Sequence, residues 1–453
     1  MTTIPKLSRI LNEVVTERAD ALARSSGFVR RRSKLSGAVF VQALVFGWLG
    51  TPTAGVGVLS RLAGALGVRI TPQGLEQRCT KVAATYLQEV LAEGVKRLIE
   101  SEPTAVPILR RFTGVYIQDS TTVPLPDALA AEWPACGNSG APEAATASLK
   151  LQVRLELARG TITGPALHAG RASDRATVDV GDPVPAGALF IADLGYFSLP
   201  YLRALGERGV SWLSRLQVQT AVFTPDGRRL DLLAWLRRHA ATPATTLDEP
   251  VALGVGQRLP ARLLVVRVPP DVSATRRRKL KAEARRRGKT VSQARLARAD
   301  WTLLVTNVPP AVLTTEDALV LARARWQIEL LFKLWKSHGH LTSSRSHKPW
   351  RRVCELFAKL LALLIQHWLF LVTCWRCPKR SLVRAAQLVR QFALALAIAC
   401  DSAAHLAATI RRLDAGLQAG ATIDPRRRSP GTWQLLLAVD SRLDDPLTSD
   451  WAA

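Results

Sequence analysis

Apolar residues recur along this chain with two different periods, and the change of period divides it. Up to about residue 104 the spacing is helical, with predicted helices over 4–23, 34–49, 59–66 and 74–99, the last opened by Thr71-Pro72. After Pro103 and Pro107 the runs shorten. Residues 113–119 form an apolar run ending in Asp119, and residues 188–193 a second one ending in Asp193; both read as buried strands with the acid at the C-terminal end. Between them, Leu149, Leu151, Val153, Leu155 and Leu157 alternate with polar residues, which predicts a half-buried strand with 160–168 as its hairpin partner. A helix over 198–208, with Ser198 as its N-cap, and a strand over 212–216 follow.

From 219 to 300 the texture changes again. Short strand-like runs at 251–255 and 261–268 stand between Pro/Gly-rich turns, and a basic helical stretch over 275–298 includes Arg276, Arg277 and Arg278. The segment reads as an insertion, part sheet and part basic helix. A strand over 301–307 resumes the apolar pattern, a helix over 315–339 comes next, and 353–375, 382–400 and 403–415 are helical. A basic piece at 424–430 with Arg426-Arg427-Arg428 precedes the end. The expected fold class is α/β, a mixed sheet flanked by helices, with a β-rich insertion and helical N- and C-terminal domains. The expected divisions are 1–104, 105–218, 219–300, 301–345 and 346–453. The first is a helical bundle with basic loops, suited to binding DNA ends and equally to a structural role. The last is a candidate for dimerisation.

Composition narrows the partner. With 453 residues, 48% hydrophobic and 22% charged, the chain is an ordinary folded protein of several units. A net charge of +26 favours a polyanion, most commonly nucleic acid. A membrane surface is the rival, and residues 356–375 are the best spanning candidate. That segment carries Lys359, Gln366 and His367, costly in hydrocarbon, so it reads as a buried core helix with no membrane partner. The first residues lack the pattern of a signal peptide, which gives a cytoplasmic expectation. Six scattered cysteines fit reduced thiols; Cys374 and Cys377 form one Cys-x-x-Cys with no second ligand pair at zinc spacing.

The stretch from Arg325 to Lys336 carries the chemistry. On a regular helix Arg325, Glu329, Phe332 and Lys336 fall within an arc of about 60°, while Ala324, Ile328, Leu331 and Trp335 form a core-facing arc. One acid among bases suits a carboxylate that holds a metal ion beside a phosphate. It equally suits two ordinary ion pairs, Arg325 with Glu329 and Glu329 with Lys333. If the strands ending in Asp119 and Asp193 are neighbours and this helix crosses them, three carboxylates converge. Such hard oxygen donors select Mg²⁺ or Mn²⁺, and two such ions activate a hydroxyl and stabilise the leaving oxygen of a phosphodiester. Either aspartate alone also suits a turn.

The order strand-Asp, strand-Asp, helix-Glu, with a strand-rich insertion before the glutamate, resembles the DDE transposases of bacterial insertion sequences. The nearest likeness is to the insertion-sequence-4 family, with its signature Tyr-x2-Arg-x3-Glu-x6-Lys. Arg325, Glu329 and Lys336 match, whereas the tyrosine position is Ala322. Asp119-Ser120-Thr121 and Asp193-Leu194-Gly195-Tyr196-Phe197 are similar to the two aspartate motifs. The resemblance implies an RNase H-like core, catalytic and metal-binding Asp119, Asp193 and Glu329, and two Mg²⁺ (or Mn²⁺) ions. It implies double-stranded DNA as partner, both transposon ends and target, and a homodimer in the synaptic complex of a nucleoid-associated bacterial protein. It further implies a cut-and-paste reaction through a hairpin, with Trp301 stacking on a flipped base and Arg325, Lys333, Lys336 and Arg276–Arg278 on the DNA backbone. The runner-up is a catalytically inactive, transposase-derived DNA-binding protein, for which Ala322 speaks.

Overall fold

The computed structural model describes residues 1–31, 33–136, 146–174, 181–240, 245–423 and 431–439. The expected basic segment at 424–430 and Arg32 of the Arg30–Arg32 run lie outside these residues. The chain folds as two compact units, each assembled from separated stretches. One gathers Met1–Ala105, Asp119–Gly181 and Gln327–Asp424; the other gathers Val106–Gln118, Asp182–Trp326 and Pro425–Ala453.

The first unit is built around the helix Pro349–Thr373. Its best window has a mean hydropathy of 1.8, long and apolar enough to cross a membrane, yet 94% of that window is buried inside the protein. The helices Lys81–Val95 and Gly37–Gly50 pack on it. Gly94 permits the close approach, because a Cβ there would stand 3.3 Å from Leu364. Each fully buried leucine or phenylalanine in such a core contributes roughly 1.5–3 kcal/mol. The polar residues of the central helix are partnered. Lys359 donates to the carbonyls of His340 (3.0 Å) and Ser343 (2.7 Å), and Nε2 of His367 donates to that of Gly160 at 2.7 Å.

The predicted helix over 74–99 is two helices, Pro72–Gln77 and Lys81–Val95, because the Thr80 hydroxyl caps a new start by accepting from the Ala83 amide. Strands β1 (Val115–Leu125), β2 (Ala147–Glu156) and β3 (Ile162–Ala169) follow in sequence, the last two an antiparallel hairpin. All ten residues of β2 are buried, so the predicted half-buried strand is covered on both faces. β1 differs too: it passes from the second unit into the first at Asp119 and continues to Leu125, so Asp119 lies within the strand and not at its end. Thr121, Val123 and Leu125 keep the alternation buried despite Pro124.

The second unit carries the remaining strands: β4 (Leu189–Ala192), β5 (Ser211–Arg215), β6 (Val222–Phe223), β7 (Thr246–Leu253), β8 (Leu259–Arg267) and β9 (Trp301–Thr306). With the first half of β1 they run in the order β1-β4-β5-β9-β8-β7-β6. β1, β4 and β5 are parallel; the rest are antiparallel. The expected insertion therefore extends this sheet: β8 pairs with β9 from Arg262 beside Thr306 to Arg267 beside Trp301. Its basic stretch divides into Pro270–Arg286 and Gln293–Arg298 around Gly288, whose φ of +61° ends the first helix.

Candidate active site

Parallel pairing sets Ile117 beside Ile191, and Asp119 and Asp193 each follow those paired residues by two positions. Asp193 ends β4 as expected, with extended backbone (φ −74°, ψ 163°) before a turn over Leu194–Tyr196. Both aspartates and Glu329 are half-buried.

The predicted helix over 315–339 is interrupted twice. Thr315–Ala324 and Trp326–Lys333 are separate α-helices meeting at Arg325, and Leu334–His338 winds as a π-helix. The core-facing arc is as predicted, since Ala324, Ile328, Leu331 and Trp335 are all buried. The charged arc is not, because Phe332 is buried against Trp335, ring centroids 5.9 Å apart. Arg325 keeps helical backbone angles (φ −50°, ψ −33°), and Phe332 is simply an apolar residue drawn into the core; π-turns often mark functional positions.

In the second unit Arg325 Nε stands 3.4 Å from Asp193 Oδ1, with the guanidinium 17% exposed and the carboxylate 34%. In the first unit Lys336 is half-buried. Burial pushes its ammonium below the usual lysine range while the Asp119 carboxylate pulls it back up. Arg325 thus lies against one strand aspartate, and Lys336 feels the charge of the other. Lys333 is exposed.

Asp119 also anchors a polar network absent from the sequence reading. Its Oδ1 accepts from the Ser120 amide at 2.8 Å, and the Ser120 hydroxyl donates to Asp174 at 2.7 Å. Lys150 reaches the same Asp174 oxygen at 2.9 Å. Asp174 has no apolar run before it and lies 55 residues beyond Asp119, so no local pattern marks it.

Three expected DNA contacts are otherwise engaged. Trp301 is 5% exposed, packed in β9 with Arg267 over its ring, so it offers no open face for a base. Arg276 donates to the Trp301 carbonyl and to the Thr302 hydroxyl, both at 3.1 Å, and Arg277 pairs with Asp300. Arg278 is exposed, as expected of a backbone contact. Trp326 is 51% exposed beside Arg325.

The acidic donors suit Mg²⁺ or Mn²⁺ by chemistry. Among the described residues, no three of His, Cys, Asp and Glu form a ready metal cluster. Asp119 and Glu329 belong to the first unit and Asp193 to the second, so neither unit holds the full set.

A profile of the transposase DDE domain matches residues 110–365, more than half of the chain. The chain belongs to this family. Its relatives include the transposase for insertion sequence element IS231C of Bacillus thuringiensis subsp. berliner, 29% identical over 76% of this chain and 75% of the relative. The IS1151 transposase of Clostridium perfringens is 25% identical over 76% of each chain. The putative transposase InsL for IS186A of Escherichia coli (strain K12) is 31% identical over 40% of this chain and 50% of its own. The protein is a DNA transposase of insertion-sequence type, an enzyme that acts on DNA, from a family that works with divalent metal ions.

Proposed function

We propose that this transposase binds the terminal inverted repeats of its element, cleaves there, and joins the freed 3′-hydroxyls to target DNA. Asp119, Asp193 and Glu329 are the metal-binding and catalytic acids, Arg325 and Lys336 hold the phosphates flanking the scissile bond, and the insertion-sequence-4 signature is the motif that carries them. The reading is supported chiefly by one observation: Arg325 lies 3.4 Å from Asp193, and the charge of Asp119 acts on Lys336. A routine surface helix has no reason to set its arginine against a strand aspartate.

When bound, two divalent ions lower the pKa of the attacking water or hydroxyl and neutralise charge on the scissile phosphate. The chain's own part is positional. Ser120, held by Asp174, donates its backbone amide to Asp119 and so fixes that carboxylate's rotamer. Arg325 orients Asp193 from the end of the helix Thr315–Ala324. Lys336, partly desolvated, presents a cation whose charge is felt more strongly than in water. The family's hairpin route and a dimeric synapse, which brings two ends together in the cytoplasm, complete the proposal.

The test is divalent-dependent cleavage of DNA carrying the element's ends. Glu329→Gln abolishes cleavage and retains end binding, and calorimetric Mn²⁺ binding weakens with it. A Glu329→Gln enzyme that still cuts overturns the assignment. Wild-type protein that binds ends yet never nicks them supports the inactive derivative instead.

A further inference from the structure

The first unit contains an open cleft of about 650 Å³ that the cleavage chemistry does not use. One wall is the loop after the helix Ala19–Ser25, and the other is the break between Pro72–Gln77 and Lys81–Val95. Gly27, at φ +74°, turns the chain out of its helix, and the Val29 amide bonds back to the Ala23 carbonyl at 2.8 Å, which fixes the loop. Arg30, Arg31 and Arg78 line the cleft, all exposed, together with Gln77 and Ser33. No acidic side chain lines it, and none of the three guanidiniums is ion-paired among the described residues. On the adjoining elements Glu76 pairs with Lys348 at 3.4 Å, Asp20 accepts from the Ala38 amide at 2.8 Å, and Glu93 pairs with Arg97 at 2.8 Å. Phe28 forms part of the wall. It stacks on Tyr86 at 5.0 Å with 7° between planes, rests on Phe40 at 4.6 Å, and remains half-exposed.

Unneutralised guanidiniums around a seated, half-exposed aromatic ring are the chemistry that grips a nucleic-acid strand. We infer that this cleft captures one strand of DNA: Arg30, Arg31 and Arg78 hold successive phosphates, and an unstacked base lies against Phe28. The inference rests on the proposed end binding and adds a second DNA-binding region, within one unit, for a locally opened or frayed strand. Duplex DNA without an unpaired base engages the arginines alone.

The probes are a short duplex with a mismatched 2-aminopurine and its fully paired counterpart, titrated with full-length protein across a salt series. Wild-type protein prefers the mismatched probe and quenches its fluorescence. Arg30→Ala/Arg31→Ala/Arg78→Ala lowers the slope of log affinity against log salt by about two to three, near one for each phosphate that an arginine no longer neutralises. Phe28→Leu loses the quench and about five- to 150-fold in affinity for the mismatched probe, as expected for one stacked base. Phe28→Trp keeps both. Thermal melts of each variant check the fold, and the exposed arginine positions leave it intact. A triple variant with unchanged slope overturns the cleft while end binding stands. Quenching that survives Phe28→Leu in a folded protein overturns the capture as stated. Wild-type protein that binds neither probe overturns both the cleft and the end-binding reading beneath it.

Discussion

Glu355 is the counter-ion for two buried cations, and its removal tests what holds the segment after the signature helix. It lies 2.7 Å from Lys359 and 3.3 Å from Arg351, all three on the helix Pro349–Thr373 with side chains no more than 6% exposed. Ser344 donates to it at 2.9 Å, and Lys359 reaches the carbonyls of His340 and Ser343. The cluster therefore fastens the loop that follows the Lys336 turn. At 2.7 Å and an effective dielectric near 20, the Glu355–Lys359 attraction is about 6 kcal/mol gross. Desolvation of both ions consumes most of that, but Glu355→Gln keeps the desolvation and loses the attraction. Breaking a buried pair in this way costs about 3–5 kcal/mol, a large share of a stability of roughly 5–15 kcal/mol. Urea unfolding of wild type and variant, followed by circular dichroism at neutral pH, measures it. The pH dependence is a second signature. Burial already pushes Lys359 below its usual value against the pull of Glu355. In Glu355→Gln that pull is gone, so the folded pKa falls further below the unfolded one. The deficit is full below the folded value and shrinks as pH rises toward about 10.5. A loss under about 1 kcal/mol, or a deficit constant with pH, refutes the reasoning.

Three other residues give outcomes of the same kind. Burial pushes His367 down to about 4. Its neutral form is the folded form, so its contribution is complete above pH about 6.5 and is lost as pH falls toward about 4, a cost of about 3 kcal/mol; His367→Gln, which still donates to the Gly160 carbonyl, flattens that acid limb in a melting-temperature series, and an unchanged limb argues against His367 as its source. Trp326→Ala reduces hairpin formation on a labelled end substrate with little change in melting temperature, since the ring is 51% exposed, whereas Trp301→Ala costs about 3–5 kcal/mol of stability as a buried aromatic; a Trp301→Ala protein of wild-type stability that fails only at the hairpin restores the stacking role to Trp301.

What the sequence made legible follows from what periodicity encodes. A period of 3.6 marks which side of one helix meets a core, and Ala324, Ile328, Leu331 and Trp335 are buried as that period requires. An apolar run marks a buried strand, and Asp193 ends one where expected. Periodicity does not encode what covers the other face. Lys150, Gln152, Arg154 and Glu156 read as the solvent side of a strand, yet all four are buried. At least Lys150 is matched by Asp174, a residue 24 positions away that no local pattern selects. The same blindness separates the two tryptophans, because an isolated aromatic has one sequence signature whether a strand or solvent receives it. Interruptions were hidden for a different reason. Residues 78–80 and Arg325 contain neither proline nor glycine, so nothing in composition forbids a continuous helix there. The interruption at 78–80 matters, because it opens one wall of the arginine cleft. Spacing sets an arginine four residues before Glu329 but does not say which strand acid it meets, so the 3.4 Å approach of Arg325 to Asp193 was not legible in the chain.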